Sequence, residues 1–204
     1  MRLVAADLAG ERGGETVFSG IAFVLDEGGA LVVTGPNGSG KSTLLRVVAG
    51  LLPIAAGLIA LEGGGEAWPT TGAASHYLGH QNGMKTALSV SENLRFWQAF
   101  LGSPHLDIAE ALEMVGLPSV GHLPYAYLST GQKRRVAIAR LLVSYRPVWL
   151  LDEPTAGLDA DSEAQLEALI DAHREVGGLV IAATHQPLGI REAQELDMRQ
   201  SATC

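Results

Sequence analysis

The sequence predicts an α/β fold, with a core of strands and helices, an antiparallel β subdomain before it and an α-helical subdomain inserted within it. Three observations lead to this prediction. The apolar, β-branched run 30–34 leads through the glycine-rich stretch 35–42 into an apolar helix-like segment. A second apolar run, 148–151, ends in acidic residues. Between these two runs, the apolar pattern becomes helical over residues 89–123.

The N-terminal part of the chain is predicted to form antiparallel strands. Residues 3–5 begin the first strand, 10–15 form a turn region, and 16–25 form a half-buried strand with large apolar residues at alternate positions from Ile21 onward. The turn 26–29, which contains two glycines, then leads into the strand 30–34.

The stretch after this strand matches the phosphate-binding pattern G-x-x-x-x-G-K-[ST]. It comprises Gly35, Pro36, Asn37, Gly38, Ser39, Gly40, Lys41 and Ser42, followed by Thr43. Glycines let successive backbone N–H groups point at a phosphate, and the helix N-terminus beyond them favours negative charge. The Lys41 charge can reach the β- and γ-phosphates, and the Ser42 hydroxyl can ligate Mg²⁺. The motif therefore predicts a nucleoside triphosphate site.

The middle of the chain passes from strands to helices. Residues 57–61 and 75–79 are predicted strands, and Ser89 with Glu92 predicts a capping box at the start of a helix. A second helix is predicted over 108–115. Apolar side chains on one face of the first helix are expected to pack in the core rather than to bind a cofactor: Leu94, Trp97, Phe100 and Leu101.

The last part of the chain returns to the core. After a helix at 136–143, the strand 148–151 is followed by a helix at 161–176 and a strand at 178–183. This strand is expected to be the last of the core, and a short helix and a tail should follow it.

Asp152 and Glu153 stand at the carboxyl end of the strand 148–151, which is the edge where open α/β sheets bind ligands. Asp152 is suited to hold Mg²⁺, directly or through water. Glu153 is suited to orient or deprotonate an attacking water, a contribution of ~10²–10⁴-fold to a rate. The alternative is that both acids are merely solvated. Pro154, which stops the strand, and the phosphate loop upstream favour the site.

Composition excludes several other classes of protein. The net charge of −8 and the pI of about 5.2 predict no nucleic-acid partner, and the short basic run 133–135 is expected to make local contacts or face solvent. The single cysteine, Cys204, excludes an internal disulfide and a Cys-rich zinc site, and it favours a reduced, cytosolic compartment. No signal peptide and no membrane span are predicted, since 1–14 is charged and the uncharged apolar stretch 47–61 is interrupted by glycine and proline.

The stretch 128–132, Leu-Ser-Thr-Gly-Gln, resembles the LSGGQ signature of ABC-transporter ATPases, with Thr130 where glycine is commoner. The order of motifs is also theirs: the phosphate loop, Gln81, this signature, the strand 150–154, the segment 157–159 and His185. Because the motifs span 35–185 in the family's order, the chain is identified as a member of this family, whose fold is a P-loop NTPase core with an antiparallel β subdomain and a helical signature subdomain.

The resemblance implies ATP and Mg²⁺ as ligands and assigns roles to residues outside the phosphate loop. Gln81 resembles the residue that senses Mg²⁺ and the attacking water, and His185 resembles the switch that contacts the γ-phosphate. Asp159 resembles a residue that couples two ATP sites. The signature is expected to close over ATP bound by a second copy, so that two copies pair head to tail. The signature residues expected to make this contact are Ser129, Gly131 and Gln132.

The adenine contact departs from the family pattern. These ATPases usually carry an aromatic residue before the phosphate loop that stacks on adenine. The corresponding position here is Arg12, whose guanidinium can also stack on a base. Phe18 is the alternative, although it is expected to lie in the core.

A narrower resemblance is to the ATP-binding subunits of cytochrome c maturation (Ccm) haem exporters, and it rests on 77–85, 88–96, 130–137 and 184–188. It implies an ATP hydrolase in a membrane complex for cytochrome c biogenesis, which powers either haem export or release of a haem-loaded chaperone. The alternative is the ATPase subunit of a generic efflux or multidrug transporter.

The same resemblance implies partners and a location. We expect a polytopic CcmB-like membrane subunit, a CcmC-like partner, and a peripheral position at the cytoplasmic face of the bacterial inner membrane. The loop 82–87 is expected to contact the membrane partner, the alternative being a solvated loop. The whole chain, 1–204, is predicted to be one ATP-binding domain. Its core and β subdomain would comprise 1–82 and 146–204, and its helical subdomain 83–145.

Overall fold

The computed structural model describes residues 1–185 and 188–200, which fall into two compact units. The first unit comprises Met1–Gly79, Pro147–Pro154 and Ile170–Cys204, and the second comprises His80–Arg146 and Thr155–Leu169. The domain limits predicted from the sequence divide the chain differently, at 80–82, 146 and 155–169, and they remain a prediction. Gln186, Pro187 and Cys204, which the sequence analysis used, lie outside the described residues.

The described residues form a mixed α/β structure. The strands are β1 (Arg2–Arg12), β2 (Glu15–Leu25), β3 (Ala30–Thr34), β4 (Ala56–Glu62), β5 (Ser75–Leu78), β6 (Val148–Asp152), β7 (Leu179–Ala183) and β8 (Gln194–Asp197). The α-helices are α1 (Lys41–Val48), α2 (Val90–Leu101), α3 (Ile108–Met114), α4 (Thr130–Val143) and α5 (Ala160–Glu175). Short 3-10 helices cover Tyr125–Tyr127 and Met198–Gln200.

The first unit contains the predicted antiparallel sheet, with the strand order β2-β1-β4. The turn expected over 10–15 is shorter than predicted, because β1 and β2 pair as far as Arg12 and Glu15. Gly13 and Gly14 alone form the reversal, with φ angles of 66° and 85° that glycine adopts without strain. The strands therefore extend almost to the turn.

The second sheet of this unit is parallel and has the order β5-β6-β7-β3-β8. Every residue of β6 and β7 is buried, as expected for central strands covered on both faces. The prediction that β7 is the last core strand is wrong, because β8 pairs with β3 at the edge. Its sequence, Gln-Glu-Leu-Asp, lacks the apolar run of a central strand, and two of its four residues are exposed.

The second unit is mainly helical, and α2 begins at the predicted capping box. The Ser89 hydroxyl accepts from the Glu92 N–H at 3.2 Å, and the Ser89 N–H donates to the Glu92 carboxylate at 2.7 Å. The predicted core face of α2 is only partly correct. Leu94 is buried, but Phe100 is 69% exposed and stacks on Phe96, with ring centroids 5.8 Å apart. Helical spacing predicts that apolar side chains share one face of α2, but it does not show whether other residues of the same chain cover the whole of that face.

Replacing Ser89 with alanine should remove this cap. N-cap serine-to-alanine changes cost about 1 kcal/mol, so we expect the free energy of unfolding to fall by roughly that amount. Urea denaturation monitored by circular dichroism measures this as a lower midpoint at an unchanged slope. Ser119→Ala, at an exposed position, is the control and should change the free energy by less than about 0.5 kcal/mol. Equal effects of the two changes would contradict the role of the cap.

Candidate functional site

The parallel sheet brings the ends of β3, β6 and β7 to one edge of the first unit. The loop that begins at Gly35 follows β3, Asp152 ends β6, and His185 follows β7 by two residues. Ligands bind at the carboxyl ends of strands in such sheets, so this edge is the candidate site.

The phosphate loop has the backbone that its glycines predict. Gly35, Gly38 and Gly40 have φ angles of 140°, 84° and 94°, a region that other residues avoid. A side chain at Gly40 would also collide with Val17, since its Cβ would lie 2.7 Å from Cγ1 of that residue. Among the described residues, no side chain caps the N-terminus of α1. The first-turn N–H groups can therefore face an anion.

Lys41 lies folded over this loop and is buried. Its ammonium donates to the carbonyl oxygens of Gly35 at 2.7 Å and Pro36 at 3.1 Å. An ammonium has three protons, so one remains for a further acceptor. A buried positive charge above a ring of backbone N–H groups suits a polyphosphate.

The Ser42 hydroxyl donates to Oδ1 of Asp152 at 3.0 Å, and Asp152 is 1% exposed. Hydroxyl and carboxylate oxygens are hard donors that suit Mg²⁺, which is often held by one or two carboxylates together with phosphate oxygens and water. Within residues 1–185 and 188–200, no group of three or more His, Cys, Asp or Glu side chains could hold a metal ion. The Ser42 hydroxyl and the Asp152 carboxylate fit Mg²⁺ that is also held by phosphate oxygens and water.

The second oxygen of Asp152 has a partner that sequence reasoning missed. The Tyr77 hydroxyl, on β5, lies 3.0 Å from Oδ2 of Asp152 and 3.3 Å from Nε of Arg46. Burial, and then the charge of Asp152, raises the pKa of Tyr77 above its usual value. A tyrosine in a strand is ordinary, and only the pairing of β5 with β6 shows that it can reach the acid.

Glu153 and His185 contact each other directly. Nδ1 of His185 lies 2.8 Å from Oε2 of Glu153, whose side chain is 13% exposed, whereas that of His185 is 61% exposed. Because an ionised carboxylate only accepts hydrogen bonds, Nδ1 carries the proton in this pair. Glu153 has a φ of 47°, which is unusual for a residue other than glycine and is a form of strain that clusters at functional sites.

The remaining candidates for catalysis and signature contacts belong to the second unit. Ser129 caps α4 in a capping box with Gln132, and both reciprocal hydrogen bonds of the box are present. A Cβ at Gly131 would lie 3.1 Å from the Gly157 carbonyl oxygen, so a side chain there would require a small shift of the neighbouring backbone. Thr130 and Gln81 are exposed.

Asp159 accepts a hydrogen bond from the Ser162 N–H at 2.9 Å, at the beginning of α5. Hydrogen bonds from the side chain and then from the backbone of Ser162 lower the pKa of Asp159. Asp159 itself is exposed, so it is ionised at neutral pH and available for contact.

The loop 82–87 is tied to the rest of its unit by side-chain hydrogen bonds. The Asn82 amide donates to the Tyr125 hydroxyl at 3.1 Å, Asn93 accepts from the Lys85 N–H at 2.7 Å, and Trp97 donates to the Gly83 carbonyl at 2.9 Å. Its exposed residues are therefore held in a defined conformation.

The two candidates for the adenine contact differ in exposure. Phe18 is fully buried in the core cluster of the first unit, so it is a core residue as expected. Arg12 is exposed at the end of β1. Arg12 remains the predicted contact.

Comparison with known proteins gives the family. The family model described as ABC transporter matches residues 18–156. A cytochrome c biogenesis ATP-binding export protein CcmA of Chelativorans sp. (strain BNC1) is 65% identical over 198 residues, or 97% of this chain and 98% of that protein. The protein of the same name from Brucella abortus (strain 2308) is 62% identical over 190 residues, or 93% of this chain and 88% of that protein. The chain belongs to the CcmA family of ABC transporter proteins.

Solved structures confirm the predicted fold of this CcmA-family chain. A putative ABC transporter ATP-binding protein from Pyrococcus furiosus matches with a TM-score of 0.85 at 23% identity, over 100% of both chains. A bacterial ABC transporter cassette, described as dimeric, matches with a TM-score of 0.80 at 23% identity, over 96% of this chain and 94% of that one. Within the described parts of the CcmA-family chain, no helix is both long and apolar enough to cross a bilayer.

Proposed function

We propose that this chain is the ATP-hydrolysing subunit of a membrane complex for cytochrome c biogenesis. The observation that carries the proposal is the match to CcmA export proteins at 65% identity over 97% of the chain. It favours this function over that of a generic efflux or multidrug ATPase. ATP hydrolysis would drive either haem export or release of a haem-loaded chaperone.

The residues of the first unit have distinct proposed roles. The loop 35–43 binds the ATP phosphates, and Lys41 neutralises their charge. Ser42 and Asp152 would hold Mg²⁺, which would supply positive charge to neutralise the bound phosphates. Glu153 accepts a proton from the attacking water, and the Nδ1–H of His185 keeps the carboxylate in one orientation.

The residues of the second unit serve the same reaction in this proposal. Gln81 would sense Mg²⁺ and the attacking water, as the family resemblance implies. The signature closes over the ATP of a second copy, and its fixed helix N-terminus favours a phosphate there. Asp159 couples the two sites of a homodimer. The contributing signature residues are Ser129, Gly131 and Gln132. In the first unit, Arg12 is proposed to stack on adenine.

The proposed partners are membrane proteins. A CcmB-like polytopic subunit, with a CcmC-like partner, would place this chain at the cytoplasmic face of the bacterial inner membrane. The ordered loop 82–87 is the proposed contact, because its side chains are presented in a defined conformation. The acidic net charge of −8 argues against a nucleic-acid partner.

Deletion of the gene should abolish covalent attachment of haem to c-type cytochromes, because hydrolysis in the complex would stop. Haem staining of membrane proteins after denaturing electrophoresis measures this. Wild-type protein should restore the stained bands, and Glu153→Gln protein produced at the same level should not. A deletion strain with normal c-type cytochromes and a new sensitivity to drugs would instead establish the efflux alternative.

A further inference from the structure

Four side chains of the first unit are joined by three hydrogen bonds into a linear network that the proposed roles do not explain. Ser42 and Arg46 lie one turn apart on α1, so they project from the same side of the helix. Ser42 donates to Oδ1 of Asp152 at 3.0 Å, and Tyr77 contacts Oδ2 of the same carboxylate at 3.0 Å. Arg46 ends the network, with its Nε 3.3 Å from the Tyr77 oxygen.

The direction of each hydrogen bond in the network is fixed by chemistry. A guanidinium has only donors, so the Tyr77 oxygen must accept from Arg46. A phenol has one proton, and an ionised carboxylate only accepts, so that proton points at Oδ2 of Asp152. Arg46 therefore reinforces the donation from Tyr77 to Asp152.

The network holds the Asp152 carboxylate at both oxygens. Asp152 is 1% exposed, so little water is available to replace a lost donor. Ser42 fixes the oxygen on the side of the phosphate loop, and Tyr77 fixes the other. A carboxylate held in this way cannot turn about its terminal bond, and its Oδ1 stays toward the place where a nucleotide-bound cation would lie.

We propose that Tyr77 is a positioning residue for Asp152, directed by Arg46, and that it sets the affinity of the site for Mg²⁺ in the presence of nucleotide. This inference rests on the proposed Mg²⁺–ATP site and deepens it. Tyr77 would act through the carboxylate of Asp152 and would not itself touch the nucleotide or the metal ion. Outer partners of metal ligands typically change metal affinity by about 10- to 100-fold when they are removed.

The test is Tyr77→Phe in the full-length chain. The Tyr77 ring packs against the core cluster, and phenylalanine keeps that packing while removing the hydroxyl. Binding of a fluorescent, non-hydrolysable ATP analogue is measured in EDTA and then during a titration with MgCl₂. In EDTA, we expect the variant to bind the analogue with wild-type affinity. In the titration, the Mg²⁺ concentration that gives half of the Mg²⁺-dependent increase in affinity should be about 10-fold higher than for wild type.

Two further variants make the result specific. Tyr145→Phe, the same chemical change in the second unit, should leave the Mg²⁺ titration unchanged. Arg46→Met should shift the titration in the same direction as Tyr77→Phe but less far. The double variant Arg46→Met/Tyr77→Phe should shift it no further than Tyr77→Phe alone, because Arg46 acts through the hydroxyl.

Each other outcome contradicts a stated part of the inference. A wild-type chain whose nucleotide affinity is independent of Mg²⁺ overturns the proposed metal site and the inference with it. If the nucleotide affinity of wild type depends on Mg²⁺ but the Mg²⁺ titration of Tyr77→Phe is not shifted, the positioning role alone is overturned. An equal loss in EDTA and in Mg²⁺ shows a structural defect instead, and additive effects in the double variant overturn the role of Arg46.

Discussion

Replacing Glu153 with glutamine should lower the rate of ATP hydrolysis by ~10²–10⁴-fold, the range in which a general base contributes to catalysis. The amide has nearly the shape of the carboxylate, and its oxygen can still accept the hydrogen bond that His185 donates at 2.8 Å. It cannot accept a proton from water at neutral pH. We therefore expect ATP affinity to change by less than about 3-fold, as for a residue whose interaction matters mainly in the transition state.

The measurements are phosphate release and equilibrium binding of ATP on the same preparation. If the signature of one copy closes over the ATP of another, the variant should also accumulate as an ATP-bound dimer, which light scattering after gel filtration detects. Glu175→Gln, an identical change at an exposed position on α5, is the control and should hydrolyse ATP at the wild-type rate. Near-normal phosphate release from Glu153→Gln would remove Glu153 from the role of base.

The elements around the phosphate loop were predictable because their signals are local. The strand predicted over 30–34 has the same bounds as β3, since five consecutive β-branched or apolar residues between glycines leave little choice. The capping box of Ser89 and Glu92 depends on residues three apart, and it is confirmed. The family was equally predictable, because the order of its motifs can be read from the sequence without any knowledge of contacts.

The features that were missed depend on pairing between distant parts of the chain. β8 is polar, and only its register with β3 makes it a strand. Tyr77 reaches Asp152 because β5 adds to the sheet beside β6. Phe100 is apolar yet exposed, and periodicity cannot distinguish a face covered by the same chain from one left uncovered.

The residues of the candidate site were predictable from local motifs, but the contacts between them were not. The sequence pattern identified Ser42 and Asp152 as separate motifs, and their contact at 3.0 Å follows from the order of the parallel strands. The contact between Glu153 and His185 was not predicted, since the two residues stand after different strands. Neighbouring strand ends converge at one edge, so sequence reasoning can find the edge but not the pairs of atoms that meet there.

Replacing Lys41 with alanine should weaken ATP binding by about 10- to 100-fold, because a hydrogen bond to a charged group contributes about 1.5–3 kcal/mol. Lys41 is 7% exposed, and its ammonium already lies within 3.1 Å of two carbonyl oxygens of the phosphate loop. Its charge is therefore held where the phosphates are proposed to bind, and screening by water is weak there. Titration with a fluorescent ATP analogue in excess Mg²⁺ measures the loss.

The control for Lys41→Ala is Arg95→Ala, which also removes one positive charge, from an exposed position on α2. It should bind ATP with wild-type affinity, so a general electrostatic effect can be separated from a local one. Thermal denaturation of both variants without nucleotide tests whether the loop still folds, because Lys41 also bridges Gly35 and Pro36. A folded Lys41→Ala chain with wild-type affinity for ATP would show that the loop does not bind the phosphates through this residue.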